Sequence, residues 1–219
     1  METGLFHVLN RGVEKRSIFM DDQDRARFVH DLYEFNDTRP APQYSRREEM
    51  LDLRNPTSRE LLVDIHGWCL MDNHYHLLLS EKIEGGLTKF IRKLNVGYAN
   101  YFNERYERSG SLYQGRTKKI LIQNDTHFLH ILHYIHLNPL DYVDGAEDWR
   151  SGTILSMSDA LAQLHSYRWS SYQDYCGNKN FASILSKELF TGVFGNIQKA
   201  TEHFLKDLDI GLDTSITLE

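Results

Sequence analysis

The sequence has few cysteines, few prolines and no long apolar run. Its 219 residues include two cysteines and four prolines. Cys69 and Cys176 lie far apart among apolar or aromatic neighbours, which favours two buried thiols over a disulfide framework or a thiolate metal site. No segment stays apolar over the ~20 residues that a membrane-spanning helix needs, and the N-terminal residues lack the pattern of a signal peptide. We therefore expect a cytoplasmic protein with no membrane partner.

Basic residues are concentrated in the middle of an acidic chain. The formal net charge is -6, which by itself argues against a nucleic-acid partner. Residues 89–119, however, contain eight basic and two acidic side chains, whereas the acidic residues dominate on both sides of this window. Such a cluster is either a solvated helix face or a contact surface for a polyanion.

The pattern of apolar residues predicts an α+β fold. Strand patterns at residues 5–9, 61–71, 74–80 and 118–122 alternate with helix patterns at 22–35, 87–106 and 126–137. The turn at residues 71–73 makes a hairpin of the second and third strands. We predict a central antiparallel sheet of about four to five strands with helices packed on it, as a catalytic domain over residues 1–145. Residues 146–219 form a helical C-terminal extension packed on this core.

One segment of the predicted catalytic domain looks like an insertion. Residues 37–60 contain three of the four prolines and many charges. They match neither the strand nor the helix pattern over most of their length, apart from a short helix expected near residues 45–53. We assign no chemistry to them.

Two histidines on the third predicted strand form a candidate metal site. Side chains alternate across a strand, so His74 and His76 project from one face while Tyr75 and Leu77 project from the other. Two imidazoles on one face can bind the same metal ion. A pair of histidines on a strand can also be exposed or hydrogen-bonded without any metal.

The helix at residues 126–137 presents a tyrosine and an asparagine on one surface. Tyr134 and Asn138 are four residues apart, so they are neighbours on a helix. Phe128, Ile131 and Ile135 fall on another stripe that supplies the core contact. Taken singly, a tyrosine at a helix edge is a packing residue and Asn-Pro is a helix stop.

Together these residues are typical of phosphodiester chemistry. A phenol with a pKa of about 10 is a poor nucleophile unless a base or a cation assists it. Two imidazoles and an amide oxygen leave a divalent cation with open positions for a scissile phosphate. Attack by Tyr134 would then form a covalent 5′-phosphotyrosine and release a 3′-hydroxyl. Because this bond keeps the energy of the broken phosphodiester, another 3′-hydroxyl can rejoin the strand.

Several segments, in this order, resemble the single-tyrosine HUH transposases of insertion sequences. They are residues 6–12 (FHVLNRG), 18–28 (IFMDDQDRARF), 71–79 (MDNHYHLLL), 110–116 (GSLYQGR) and 134–139 (YIHLNP). Residues 167–172 (YRWSSY) resemble the branch associated with repetitive extragenic palindromes, the REP-associated tyrosine transposases. The resemblance spans about residues 4–177.

The resemblance implies a fold, a cofactor and a substrate. The fold is that of the HUH endonucleases, a ferredoxin-like or RRM-like antiparallel sheet. His74 and His76 flank a bulky residue as in the family motif, Tyr134 is the nucleophile, and Asn138 completes the metal site. Ligand preference alone suits Mn²⁺ or Zn²⁺, whereas the resemblance implies Mg²⁺ or Mn²⁺, which we adopt. The substrate is single-stranded DNA with a hairpin, and relatives act as monomers or homodimers.

The basic window supplies candidate DNA contacts. Cations follow a phosphate backbone and aromatic rings stack on unpaired bases, a combination that suits single-stranded nucleic acid. Tyr98 and Tyr101 are expected in the core. The residues that we predict to bind DNA are Arg11, Arg92, Lys93, Arg105, Arg108, Tyr113, Arg116 and Lys118.

Two other functions are compatible with these residues. The chain could be a catalytically silent protein that binds DNA hairpins, or a metal-dependent hydrolase that uses water in place of Tyr134. A covalent protein–DNA adduct separates both from a transposase.

Overall fold

The computed structural model describes residues 4–40, 59–146 and 148–209. Within them, strands and helices follow the predicted order, joined by loops and short 3₁₀ turns. In chain order they are β1 Leu5–Arg11, α1 Asp22–Glu34, β2 Val63–Met71, β3 His74–Glu81, α2 Gly86–Arg105, β4 Lys118–Leu121, α3 Asp125–Leu137, α4 Met157–Ser166, α5 Tyr172–Tyr175, α6 Glu188–Phe194 and α7 Ile197–Asp209. The predicted α+β class is confirmed.

The four strands form one antiparallel sheet in the order β2-β3-β1-β4. The hairpin β2–β3 turns at Asp72 and Asn73, with Met71 paired to His74. This tip is held by the loop after β1, because the carbonyl of Asp72 accepts hydrogen bonds from the amides of Ile18 and Phe19. The tip that precedes the two histidines therefore has a fixed position.

The two sides of the sheet carry different side chains. Val8, Tyr75 and Leu77 lie on the side covered by α1 and α2, which we call the apolar face. His7, His74 and His76 lie on the other side, which we call the histidine face, since residues of alternate parity point to opposite faces. Helix α3 covers the histidine face.

Helix α3 is fixed by its ends and by its apolar stripe. The side chain of Asn124 accepts a hydrogen bond from the amide of His127. The N-cap is therefore Asn124, and Asp125 belongs to the first turn. Asn138 ends the helix and starts a 3₁₀ turn with Pro139 at its beginning. Four aliphatic side chains of α3 are buried, each contributing about 1.5–3 kcal/mol: Ile131, Leu132, Ile135 and Leu137.

A glycine brings α3 close to the sheet. A Cβ added to Gly67 in β2 would lie 2.8 Å from the Cδ1 of Leu132. A side chain there would require the end of the Leu132 side chain to move. Gly67 therefore contributes to the short distance between α3 and the histidine face.

The C-terminal residues pack on the same side as α3. The amide of Leu70 in β2 donates a hydrogen bond to the carbonyl of Trp169. Phe190 of α6 and Leu205 of α7 are buried in the cluster that contains α3. The division at residue 145 into a catalytic domain and an extension stays a prediction.

The predicted insertion lies mostly outside the described residues. Residues 41–58, including the helix expected near 45–53, are among those that the structure does not describe. The ends of the segment are adjacent, since the amide of Thr38 donates a hydrogen bond to the carbonyl of Glu60 at 3.0 Å. The chain thus leaves and re-enters the fold at one place, as expected of an insertion.

Two smaller expectations concern the thiols and the membrane. Cys69 is fully buried and Cys176 is partly buried, and neither forms a disulfide. Burial raises the pKa of the Cys69 thiol, so it stays protonated near neutral pH. Among the described helices, none has both the length and the apolar composition to cross a membrane.

Candidate active site

The two histidines of β3 lie side by side on the histidine face. The ring centroids of His74 and His76 are 4.9 Å apart, with the rings nearly perpendicular. His74 is 8% exposed and His76 is fully buried. The expected placement on one strand face is therefore what the structure shows, while Tyr75 between them points to the apolar face and donates a hydrogen bond to Asn95.

The neighbour of His74 determines which of its nitrogens carries a proton. The Nδ2 of Asn73 donates to the carbonyl of Lys15 at 3.1 Å, so the Oδ1 of Asn73 faces His74. That oxygen lies 2.6 Å from the Nδ1 of His74. Because an amide oxygen only accepts hydrogen bonds, Nδ1 must be the protonated nitrogen. The Nε2 of His74 then carries a lone pair, as a metal ligand requires.

His76 is paired with a histidine of the neighbouring strand. The Nε2 of His7 in β1 is 2.9 Å from the Nδ1 of His76, and both residues are fully buried. The other nitrogens, His76 Nε2 and His7 Nδ1, are buried and have no hydrogen-bond partner among the described residues. An orphaned imidazole nitrogen at this position suits a metal ion that the structure does not contain.

Burial keeps all three imidazoles neutral. It lowers the pKa of His7 to about 3, with a smaller contribution from His127. The pKa of His74 is lowered to about 4, first by burial and then by the charge of Arg11. Burial also lowers the pKa of His76 well below its ordinary value. Neutral imidazoles are the form that binds metal, so at neutral pH no proton has to be displaced.

Tyr134 of α3 lies over these rings. Its ring centroid is 5.9 Å from that of His76 and 6.0 Å from that of His7. The side chain is 8% exposed. The phenol predicted as the nucleophile and the imidazoles predicted as ligands are thus brought together within one chain.

Asn138 is joined to Tyr134 and to a residue that the sequence did not single out. Its Nδ2 donates to the carbonyl of Tyr134 at 2.9 Å, and its Oδ1 accepts from the Nη2 of Arg150 at 2.8 Å. An amide oxygen has two lone pairs, so one remains for a metal ion.

Arg150 is fixed by three neighbours in turn. It forms an ion pair with Asp141 at 2.6 Å, and its guanidinium lies 4.3 Å from the ring centroid of Trp149 and 5.6 Å from that of Tyr134. Burial lowers the pKa of Arg150, but hydrogen bonds to Asp141 and Tyr134 outweigh it and raise the pKa overall. Tyr134 therefore has a permanent cation beside it.

The donor set fits a divalent cation of moderate hardness. No group of three or more His, Cys, Asp or Glu side chains is arranged around a metal position in the described part of the chain. Two neutral imidazoles therefore need a ligand of another type, and the amide oxygen of Asn138 is the candidate that the sequence resemblance implies. Nitrogen plus neutral oxygen donors suit Mn²⁺ and leave sites open for phosphate oxygens.

Three of the predicted DNA-binding residues lie beside the histidines. Arg11 pairs with His74 in the register of β1 and β3, and Lys118 pairs with Leu9 across β1 and β4. Both therefore belong to the histidine face. Arg116, just before β4, is exposed.

The other five predicted DNA-binding residues lie elsewhere or are occupied. Arg105 is paired with Asp21 at 2.6 Å and with Asp24 at 2.5 Å. Lys93 donates to two backbone carbonyls and Arg108 to Asn103. Arg92 is exposed on α2, which covers the apolar face.

The prediction that Tyr113 binds DNA by stacking on bases does not agree with its position. It is 8% exposed and packs in the apolar core beside Tyr75. No free ring face is left for stacking. Tyr98 is fully buried as expected, and the hydroxyl of the partly buried Tyr101 donates to Asp24.

Part of the chain matches a known protein family. The family described as "Transposase IS200 like" matches residues 37–138, just under half of the chain, and confirms the resemblance over that segment. No curated protein is significantly similar in sequence. A solved structure described as a REP-associated tyrosine transposase bound to a REP hairpin matches 84% of this chain and 85% of its own, with 11% identity and a TM-score of 0.45.

Proposed function

From the match of residues 37–138 to the IS200-like transposases, we propose that this chain is a metal-dependent transposase that cuts and rejoins single-stranded DNA through Tyr134. The observation that carries the proposal is the approach of the Tyr134 ring to within 5.9 Å of the buried His76 ring. A structural tyrosine needs no pair of neutral imidazoles with a free nitrogen beside it.

His74, His76 and Asn138 would hold the cation, and Mg²⁺ or Mn²⁺ bound there would polarise the scissile phosphate. The fold keeps both imidazoles neutral. Asn73 orients His74, and Arg150 orients Asn138. These contacts fix the donors before substrate arrives, which reduces the entropy cost of reaching the transition state.

Tyr134 would supply the attacking oxygen. Its phenol loses a proton to solvent and bonds to phosphorus, the bond from phosphorus to the 3′-oxygen breaks, and that oxygen takes up a proton. The guanidinium of Arg150 stabilises the negative charge on the phenol oxygen, both in attack and when the tyrosine leaves during rejoining. The product is a 5′-phosphotyrosine with a free 3′-hydroxyl.

The proposed DNA path follows Arg11, Arg116 and Lys118. These residues lie at the edge of the histidine face or next to it. The hairpin as substrate comes from the motif resemblance. Because the imidazoles and the phenol belong to the same chain, a second copy is not needed to complete the site, and we propose that the monomer is active.

The test is a covalent adduct. The full chain is incubated with a labelled hairpin oligonucleotide bearing a single-stranded flank, in Mn²⁺ or Mg²⁺, and resolved on a denaturing gel. We expect a protein–DNA band that is absent in Tyr134→Phe and present in Tyr33→Phe, a matched change at an exposed tyrosine of α1.

Two outcomes would contradict the proposal. Cleavage that survives Tyr134→Phe would favour a hydrolase that uses water. Hairpin binding without any cleavage, in either metal, would favour the silent DNA-binding protein.

A further inference from the structure

The contact between His7 and His76 contains one proton that can lie on either ring. His7 Nε2 and His76 Nδ1 are 2.9 Å apart, and the two ring planes are only 15° from parallel with centroids 5.1 Å apart, as expected for rings that meet edge to edge. Both imidazoles are neutral, so each carries one N–H. A hydrogen bond between them requires one nitrogen to donate and the other to accept.

The two arrangements differ at the outer nitrogens. If His7 donates from Nε2, the proton of His76 must lie on its own Nε2, where it has no acceptor and blocks metal binding. If His76 donates from Nδ1, its Nε2 presents a lone pair. The proton of His7 then lies on its Nδ1, which is also buried without a partner among the described residues. Each arrangement therefore leaves one buried N–H unpaired, at a cost of about 1–3 kcal/mol, and the two differ only in what they offer at His76 Nε2. Only the second arrangement leaves the buried Nε2 of His76 able to bind a cation.

We propose that His7 is a positioning residue of the metal site: it accepts the Nδ1 proton of His76 and thereby turns the lone pair of His76 Nε2 towards a divalent cation. The proposal rests on the proposed function, which places the cation there. Partners of this kind are known to set the tautomer and orientation of metal-binding histidines.

The same arrangement is already present at the other ligand. Asn73 accepts the Nδ1 proton of His74 through its Oδ1 and leaves Nε2 free. His7 would do the same for His76 with a ring nitrogen. Each proposed ligand would then have its own acceptor, one from the hairpin tip and one from β1.

His7 does not itself fit as a ligand of the same ion. Its Nε2 is used by His76, and its Nδ1 points to the far side of the ring, because the two nitrogens of an imidazole diverge. A cation on His76 Nε2 lies beyond the opposite side of His76. His7 therefore acts through His76 and not on the cation.

Two substitutions of His7 distinguish a hydrogen-bond acceptor from a side chain that only fills space. In His7→Gln the amide oxygen can stand near the position of Nε2 and accept the same proton, whereas His7→Phe keeps the ring volume and removes the acceptor. Mn²⁺ affinity is measured by electron paramagnetic resonance of the free ion, with folding checked by circular dichroism. We expect His7→Phe to bind Mn²⁺ about 10- to 100-fold more weakly, and His7→Gln to stay within a few-fold of the unchanged protein.

His30→Phe, at a half-exposed histidine of α1, is the matched control and should bind Mn²⁺ normally. Wild-type affinity in His7→Phe, or equal losses in His7→Phe and His7→Gln, would overturn the acceptor role. If the unchanged protein binds no Mn²⁺, or if His74→Ala and His76→Ala bind it normally, the metal site of the proposed function fails instead.

A second measurement needs no substitution. Nitrogen-15 spectra of the histidine rings in the Mg²⁺-loaded protein show which nitrogen carries each proton. We expect the shared proton on His76 Nδ1. A proton on His7 Nε2 would overturn the proposal even if every variant folds and binds as expected.

Discussion

The two faces of the sheet are both covered by helices and both bury apolar side chains, yet only one of them also buries a cluster of histidines. The apolar face buries Val8, Tyr75 and Leu77 against α1 and α2. The histidine face buries Leu78 and three neutral imidazoles against α3, and two of the ring nitrogens have no partner in the part of the chain that the structure describes. Burying unpartnered polar groups costs free energy. The comparison teaches that the apolar face stabilises the fold and that the histidine face is kept polar at the expense of stability.

The largest effect is expected from making the histidine face apolar. His76→Leu removes a proposed ligand and fills its volume. We expect adduct formation to fall about 10³-fold, because several kcal/mol of transition-state stabilisation is lost. The urea midpoint should change little, since the added apolar burial offsets the loss of the His7 partner. The rate of adduct formation and the urea midpoint are measured on one preparation, with His30→Leu as control. If His76→Leu forms the adduct as fast as the unchanged protein, the functional role of the histidine face is contradicted.

The second-largest effect is expected on the apolar face, at the residue that follows His76 in β3. Leu77→Ala opens a cavity on the apolar face and should lower the free energy of unfolding by about 2–5 kcal/mol. The folded fraction should bind Mn²⁺ as before, because the side chain faces away from the imidazoles. Urea unfolding and Mn²⁺ titration are the measurements. A loss of Mn²⁺ affinity in fully folded protein would show that the two faces are not independent.

Acid should lower stability through the histidine face and through other buried histidines such as His133, whose pKa is lowered to about 4 by burial. In the unfolded chain a histidine takes up its proton near pH 6.5, but burial lowers the pKa of His74 to about 4 and of His7 to about 3. The unfolded state thus binds more protons, so stability is highest above pH 6.5 and falls as pH drops towards 4. At pH 5 each such histidine should cost about 2 kcal/mol.

Urea midpoints at pH 7.5, 6, 5 and 4.5 test this dependence. Carboxylates such as Asp37, whose pKa is lowered mainly by Arg39, act only below that range, since an ordinary carboxyl titrates near about 4. A flat profile between pH 7.5 and 5 would mean that the histidines are not buried as neutral groups.

The smallest effect concerns single cations on the two sides of the sheet. Lys118→Gln on the histidine face should weaken hairpin binding a few-fold and reduce the slope of log affinity against log salt by about one. Arg92→Gln on α2 should leave both unchanged. Fluorescence anisotropy over a salt series measures the slope. Equal slopes for the two variants would mean that DNA does not distinguish the histidine face from α2.

Much of the site could be predicted because its signals are local. Alternation along β3 puts His74 and His76 on one face, and helical spacing makes Tyr134 and Asn138 neighbours. Both rules need only a few consecutive residues. The same holds for the strands and helices themselves, which follow the order of the apolar patterns.

The rest depends on how distant segments pair. The contact of His7 with His76 follows from the register of β1 and β3, which the sequence of either strand does not specify alone. The contact of Arg150 with Asn138 crosses a loop without periodicity. Tyr113 was predicted to stack on bases because composition does not distinguish an aromatic ring in the core from one at the surface.

The link from Arg150 to Asn138 bears on where the chain can be shortened. A fragment that stops at residue 145 would retain both imidazoles and the phenol, and so would look complete to anyone choosing boundaries from motifs. It would lack the guanidinium that holds the amide at the end of α3 and lies against the tyrosine ring. We therefore expect an active fragment to extend at least past Trp149 and Arg150.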